Sequence, residues 1–219
     1  MLKGGRTDPN FCERSFHADT RGIAAVEFGL LLPVLLLLLG GAVEFSGAVT
    51  AGSRATRVAE TIGQVVAQTQ AALTTEDLTA IIKSAAIVDP DIIVYAKETG
   101  KSLETAVDVT VSSIAFNPLP ATCTTNCTYE ASVVFSEALS GPKRPCGKQS
   151  GGAASSPTTL PTNVFSANSI LVVDVEVFYK PLMSTFLGTE ISFKRSLFFR
   201  PRYVDQINYS KNCPGFPVV

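Results

Sequence analysis

The chain begins polar and basic, then turns apolar within a single step. Residues 23–43 read IAAVEFGLLLPVLLLLLGGAV, with Glu27 as the one charge. A helix of that length, at about 1.5 Å per residue, reaches roughly 30 Å, the thickness of a bilayer's hydrocarbon core. The run Val34–Leu39 has no polar face, which a helix buried in a soluble core normally keeps. A cleaved secretory signal fits poorly. The apolar region is too long, and no small-residue cleavage site is set off from the continuing helix. The pattern predicts a transmembrane helix over 23–43.

Beyond it, residues 44–70 are rich in Ala, Val, Gln and Glu and contain no proline. Val58, Ala59, Ile62, Val65 and Val66 recur at helical spacing, predicting a helical extension that packs on the domain that follows. Thr74-Thr75-Glu76-Asp77-Leu78 has the form of a helix start, with Thr74 as cap and acids in the first turn. That helix should run to about Val88 and stop before Asp89-Pro90. Residues 91–97 (DIIVYAK) read as a short apolar strand and Gly100-Lys101 as a turn.

Alternation of apolar and polar residues predicts a half-buried strand over Val107–Ala115, and Tyr129–Ala138, Ile170–Tyr179 and Thr189–Arg200 are further β-rich runs. The last two are joined by Lys180–Gly188. On 170–179, Val173, Val175, Val177 and Tyr179 should share one face, and Val172, Asp174, Glu176 and Phe178 the other. Ser140–Asn168 is rich in Ser, Gly, Pro, Thr and Lys and reads as a long exposed loop. The predicted fold class is α+β: an N-terminal transmembrane helix extending into a long extracytoplasmic helix, packed on an antiparallel sheet of four to five strands. The expected organisation is a cytoplasmic leader (1–22), the membrane helix (23–43), the helical extension (44–70) and an extracytoplasmic domain (71–219) containing the loop 140–168.

Charge sets the orientation. Lys3, Arg6, Arg14 and Arg21 precede the apolar segment, and the first basic residues after it are Arg54 and Arg57, which favours a cytoplasmic N-terminus. The net charge of −1 gives no electrostatic reason to expect nucleic acid. The mean hydropathy of +0.26 owes much to the leucine-rich block.

Of 5 cysteines, Cys12 lies in the leader and Cys123, Cys127, Cys146 and Cys213 lie beyond the membrane helix. An even number in an oxidising compartment reads as two disulfides. Cys123 and Cys127 could close a small loop, leaving Cys146 for Cys213, but three pairings exist and spacing does not choose among them. The CxxxC spacing lacks the second pair that a zinc knuckle needs, so no metal site is expected.

Enzymatic chemistry has little to draw on. The only histidine, His17, precedes the membrane helix, and no H-E-x-x-H, G-x-S-x-G, P-loop or G-x-G-x-x-G is present. Asp174 and Glu176 lie two apart on one strand face, as an acid or calcium pair would, but the simpler reading is the solvated face of an amphipathic strand. No catalytic residue, cofactor or small-molecule substrate is expected.

The junction Arg21-Gly22-Ile23-Ala24-Ala25-Val26-Glu27-Phe28 is the most informative stretch. Glu27 lies about 6 Å into the apolar segment, where a charge is unfavourable by up to a few kcal/mol and calls for compensation. Cleavage after Gly22 would give Ile23 a new α-amino group one helical turn from Glu27. The carboxylate could pair with that amine, on its own chain or a neighbour's, and set the register of packed anchors. Pro33, in mid-span, should bend the helix.

RGIAAVEFGLLLPVLLLLLGGAVEF resembles the N-terminal signature of the TadE/TadG-like proteins of tight-adherence (Flp-type) pilus systems, and more distantly that of type IV prepilins. Arg21, Gly22, Ala25, Val26, Glu27, Phe28, Pro33, Glu44 and Phe45 carry the resemblance. A weaker likeness lies in VDVEVFYKPLMSTFLGTEISFKRSLFFRPR, close to the family's C-terminal strands. The resemblance implies a minor pilin or pseudopilin-like assembly subunit in the bacterial inner membrane, with its C-terminal domain periplasmic or extracellular. It also implies cutting between Gly22 and Ile23 by a prepilin peptidase, and other pilin or pilus-assembly subunits as partners. The rival reading is a membrane-tethered binding or sensor module, in which the anchor is only a tether and Glu27 is dispensable.

Overall fold

Alternating valines and short hydroxylated residues build the centre of the domain. Strand β1 (Val107–Leu119) pairs antiparallel with β2 (Thr128–Ala138) on one side and with β5 (Ile170–Tyr179) on the other. These belong to a sheet ordered β4-β3-β2-β1-β5-β6, described by a computed structural model that covers residues 22–152, 159–181 and 190–217. Strands β3 (Gly147–Gly152), β2, β1, β5 and β6 (Ile191–Phe199) run antiparallel. The three-residue β4 (Thr159–Pro161) adds a parallel edge. With the helices, the architecture is α+β, as the sequence predicts.

The sheet is buried on both faces. Val109, Val111, Leu171, Val173, Val175 and Val177 enter one apolar cluster together with the helices; Ile114, Phe116, Ile170 and Val172 enter a second cluster on the other face with Leu160 and Cys213. The expected division of 170–179 holds for its valines. Phe178 departs from it: at the strand's end it packs beside the first cluster, its ring 5.8 Å from that of Tyr95. In β2 the register shifts opposite Ser113 and Ile114. The extra residue, Val134, reverses which parity faces which side, so Ala131 and Val133 join one cluster and Phe135 the other. The Val134 carbonyl accepts the Cys213 amide at 2.6 Å, so the chain's last segment is pinned at the bulge.

Helix α1 (Ile23–Ala67) is continuous for 45 residues. The chain forms two compact units divided between Phe45 and Ser46. In the second unit, Ala55, Val58, Ala59, Ile62 and Val66 are fully buried, spaced as one helical stripe. Val65, expected on that stripe, is 47% exposed, because position 65 is turned about 100° from position 66. Glycines let aromatic rings press against the helix. A Cβ at Gly63 would overlap the Phe199 ring, and one at Gly52 would lie 3.3 Å from Phe193.

Helix α2 (Thr75–Lys83) starts as predicted. Thr74 Oγ1 accepts the Asp77 amide at 3.1 Å, and the Asp77 carboxylate accepts the Thr74 amide at 3.3 Å. After the short α3 (Ala85–Val88), the expected strand over 91–97 is instead helix α4 (Asp91–Thr99). Its β-branched composition suggests a strand, but its caps decide otherwise. The Asp89 carboxylate accepts the Asp91 amide at 3.2 Å, and Gly100 ends the helix at φ 69°, a left-handed cap that favours glycine. Ile92, Tyr95 and Ala96 form the buried face, a spacing of three and four rather than two.

The segment 140–168 also differs from the expected exposed loop. It contains β3, β4 and a 3₁₀ turn at Thr162–Val164, and it buries Arg144, Gln149 and Leu160. The composition reads as loop because its strands are short and take glycine. The structure contains both disulfides, Cys123–Cys127 and Cys146–Cys213. Cys12 and the rest of the leader before Gly22, and most of the 180–188 connection, lie outside the described residues.

Two consequences can be measured by urea unfolding. Gly63→Ala should cost about 1–3 kcal/mol, since a methyl group there must displace the Phe199 ring from a filled core. Opening the disulfides should cost unequally. The Cys146–Cys213 link spans a sequence separation of 67 and the Cys123–Cys127 link only 4. Loop entropy then gives about 4 kcal/mol for replacing the first pair by serine and about 2 for the second.

Candidate functional site

The junction residues all lie at the start of α1. Gly22 immediately precedes the helix, Ile23 is its first residue, and Glu27 and Phe28 follow one turn later, all exposed. Every residue from Gly22 to Leu39 is exposed, including Leu30 at 73% and Leu37 at 67%. An apolar cylinder of that length with no covered side is stable only where something apolar replaces water around it. Among the described residues, α1 is the one helix long and apolar enough to cross a membrane.

Glu27 heads one line of this surface, because Leu31 and Val34 follow it at four and seven residues. The helix continues through Pro33. The proline ring meets the carbonyl of the residue four before it, Gly29, where a Cβ would touch nothing within 4 Å. At the other end of this segment Glu44 is 7% exposed and Phe45 73%.

Asp174 and Glu176 of the sheet are both engaged. The Asp174 carboxylate accepts from Arg144 Nη2 at 2.8 Å and from Ser196 Oγ at 2.6 Å. Arg144 is itself buried, and its backbone amide donates to Ser136 Oγ at 2.8 Å. The chain after Gly141 thus folds back over the sheet, and Thr110 Oγ1 donates to the Pro142 carbonyl at 3.0 Å. Glu176 pairs with Lys194 at 3.2 Å. Asp174 and Glu176 do share a face, but Asp174 is a partly buried partner of Arg144 rather than a solvated side chain. The missed residue is Arg144. Its one signal is an acid at the centre of an apolar strand, which needs a cation if anything covers it. Among the described residues no group of three or more His, Cys, Asp or Glu side chains is placed to hold a metal.

One further charge cluster ties α1 to the start of α4, and another gathers around Tyr95 of α4. Arg54 of α1 pairs with Asp91 and lies 3.6 Å from Asp89, which is 1% exposed. Burial pushes the Asp89 carboxyl above its ordinary value, and the Arg54 guanidinium pulls it part of the way back. The Tyr95 hydroxyl donates to Glu190 and accepts from Lys101 Nζ at 2.6 Å. Burial, then the Glu190 carboxylate, raise the tyrosine, and its hydroxyl raises Lys101. Lys101 also lies over the Tyr95 and Phe178 rings, 4.9 and 4.8 Å from their centroids. These clusters position elements of the domain.

What remains distinctive is the apolar helix with a carboxylate near its start. Residues 22–63 match the family model of the TadE-like protein. The match begins at Gly22 and ends at Gly63, so the TadE-like segment comprises the apolar part of α1 and nearly all of its buried stripe. The sheet lies outside it. No curated protein and no solved structure matches the chain.

The pH dependence of stability follows from Asp89. Its carboxyl is raised in the folded state, so the folded protein holds that proton more tightly than the unfolded chain does. Its contribution is largest below the unfolded value of about 3.9 and declines as pH rises through the interval up to the folded value. Measured against Asp89→Asn, the native chain should therefore lose relative stability as pH rises above about 4, then run parallel to the variant. Urea midpoints across that range test it.

Proposed function

We propose that the chain is a minor pilin or pseudopilin-like structural and assembly subunit of a tight-adherence (Flp-type) pilus. The observation that carries this reading is the start of the TadE-like match at Gly22, the residue directly before helix α1. The TadE-like family suggests involvement in such pilus systems, and the anchor's features fit a subunit that packs with others. In this reading residues 1–22 form a cytoplasmic leader, residues 23–43 cross the bacterial inner membrane, and the domain beyond Glu44 lies in the periplasm or outside the cell.

A prepilin peptidase cuts between Gly22 and Ile23. Glu27, one turn in, then pairs with an α-amino group of its own or a neighbouring subunit. Burying that pair in lipid is tolerable only when both charges are present, so the carboxylate selects the register in which anchors meet. Phe28 and the Pro33 turn shape the same packing surface. The domain's part is to meet other pilin or pilus-assembly subunits.

Substituting Glu27 tests this. Glu27→Leu should leave membrane insertion intact, because it removes a charge from an apolar segment, yet reduce assembled pili to a small fraction of the native level. Mass spectrometry of the membrane-bound chain should find Ile23 as the first residue. Unchanged assembly in Glu27→Leu would instead identify the helix as a simple tether, and an intact leader would remove the processing step.

A further inference from the structure

Helix α1 stays free of exposed charge well past the apolar run that opens it. Between Glu27 and Arg54 its one charged residue is Glu44, which is buried. Residues 28–53 span about 39 Å as a helix, about 9 Å more than a hydrocarbon core. Apolar exposure continues into that surplus: Phe45 is exposed, and so is Val49, one turn on, at 52%. A helix entering water directly after Val43 would turn polar side chains outward there. The headgroup layer, partly wet and partly apolar, suits an uncharged and mixed surface.

The sheet is pressed against the same stretch of helix. Strand β6 runs alongside α1 in the same direction, with Phe193 against Gly52 and Phe199 against Gly63. Ile191 lies two residues before Phe193, about 7 Å back along the strand and so about four or five residues back along the helix. That brings it level with Gly47. A separate contact agrees, since Tyr179 is the register partner of Ile191 and a Cβ on Gly47 would overlap its hydroxyl. Gly47 is four residues past Val43, so even a fully extended chain carries it no further than about 14 Å from the end of the apolar run. In the helix the distance is about 6 Å, the depth of a headgroup layer.

We propose that this end of the sheet, with Tyr179, Lys180 and Ile191, rests in the lipid headgroups beside the anchor. The inference rests on the reading that residues 23–43 cross the membrane, and adds that the outer domain itself touches the bilayer. Each group suits that layer. The tyrosine ring is amphipathic, as in the aromatic belts of membrane proteins. Ile191, on the α1 side of the sheet, is 41% exposed, an apolar surface that acyl chains would cover. Lys180 is exposed, and its stem can lie along the acyl boundary with the ammonium among the phosphates. Glu190, the acid beside Ile191, is held by the Tyr95 hydroxyl and Lys101. Because the contact is amphipathic, a zwitterionic bilayer is enough to form it. The opposite end of the domain is set apart: the Arg202 amide meets the Ala67 carbonyl, twenty residues and about 30 Å along the helix from Gly47.

The chain contains no tryptophan, so one introduced at a chosen position reports its own surroundings. The full chain is placed in phosphatidylcholine nanodiscs whose acyl chains carry bromine, a short-range quencher, either close to the ester groups or near the methyl ends. Ile191→Trp should lose most of its emission to bromine near the esters. Lys180→Trp should do the same, which keeps the test decisive if one variant misfolds. Tyr203→Trp, an exposed aromatic position at the opposite end, should keep its emission in both lipids. Leu35→Trp, in mid-span, should be quenched by bromine near the methyl ends and so checks the anchor separately. Quenched Leu35→Trp with unquenched Ile191→Trp and Lys180→Trp would overturn the headgroup contact and leave the anchor standing. Unquenched Leu35→Trp would overturn both. Tyr203→Trp quenched as strongly as Ile191→Trp would also overturn the proposal, because the domain would then lie along the membrane instead of meeting it at one end.

Discussion

One helix answers to two different surroundings along its length, and the rest of the structure follows from how it does so. From Ile23 to Leu39 every residue of α1 is exposed and only Glu27 is charged, so none of the described residues covers that apolar surface. From Ala55 to Val66 the same helix has one fully buried stripe, and the sheet is built against it. That contact is close because small residues face large ones: Gly52 faces Phe193 and Gly63 faces Phe199. An α-helix brings its neighbour to about 8–10 Å only when the side chains between them allow it, and glycine at the crossing lets flat rings fill the gap. The helix therefore fixes where β6 lies, β6 fixes β5, and the ladder continues through β1 to β2.

The far face of the sheet uses a different means. There the covering layer is a segment rich in Gly, Ser and Pro whose apolar contribution comes from a few side chains, Leu160, Val164 and Phe165. It is held by polar and covalent links: Arg144 to Asp174, Ser136 to the Arg144 amide, and Cys146 to Cys213. A buried ion pair contributes little net stability against an apolar replacement, but removing one partner leaves a charge stranded. Such links are a way for a weakly hydrophobic segment to be placed definitely.

This contrast explains which parts of the fold can be read in the sequence. The apolar helix, the Thr74 cap and the alternating strands around Val109 and Val175 announce themselves because one local rule dominates each. Residues 91–97 mislead because composition and spacing disagree: Ile, Val and Tyr favour a strand, while the burial of Ile92, Tyr95 and Ala96 and the Gly100 cap are helical. The cover over the sheet is illegible for a deeper reason. Its place depends on Arg144 finding an acid 30 residues away, a relation with no periodicity. The four cysteines beyond the apolar segment signal two links without naming partners. At the candidate site the junction residues stand out in the sequence because a carboxylate interrupts an apolar run.

That last point bears on how partner choice is divided along the chain. The TadE-like match covers residues 22–63, a helix whose apolar part offers many similar leucine contacts. In the proposed reading, aliphatic packing of that kind is permissive and gains no hydrophobic driving force within lipid, so a single carboxylate would set register but discriminate poorly among anchors that share the pattern. Finer selectivity has to come from groups that water or lipid would otherwise satisfy and that a wrong partner leaves unpaired. In this domain several charges, Arg144 with Asp174 and Arg54 with Asp89 and Asp91 among them, are already committed within the fold, so selectivity falls to the groups that are not.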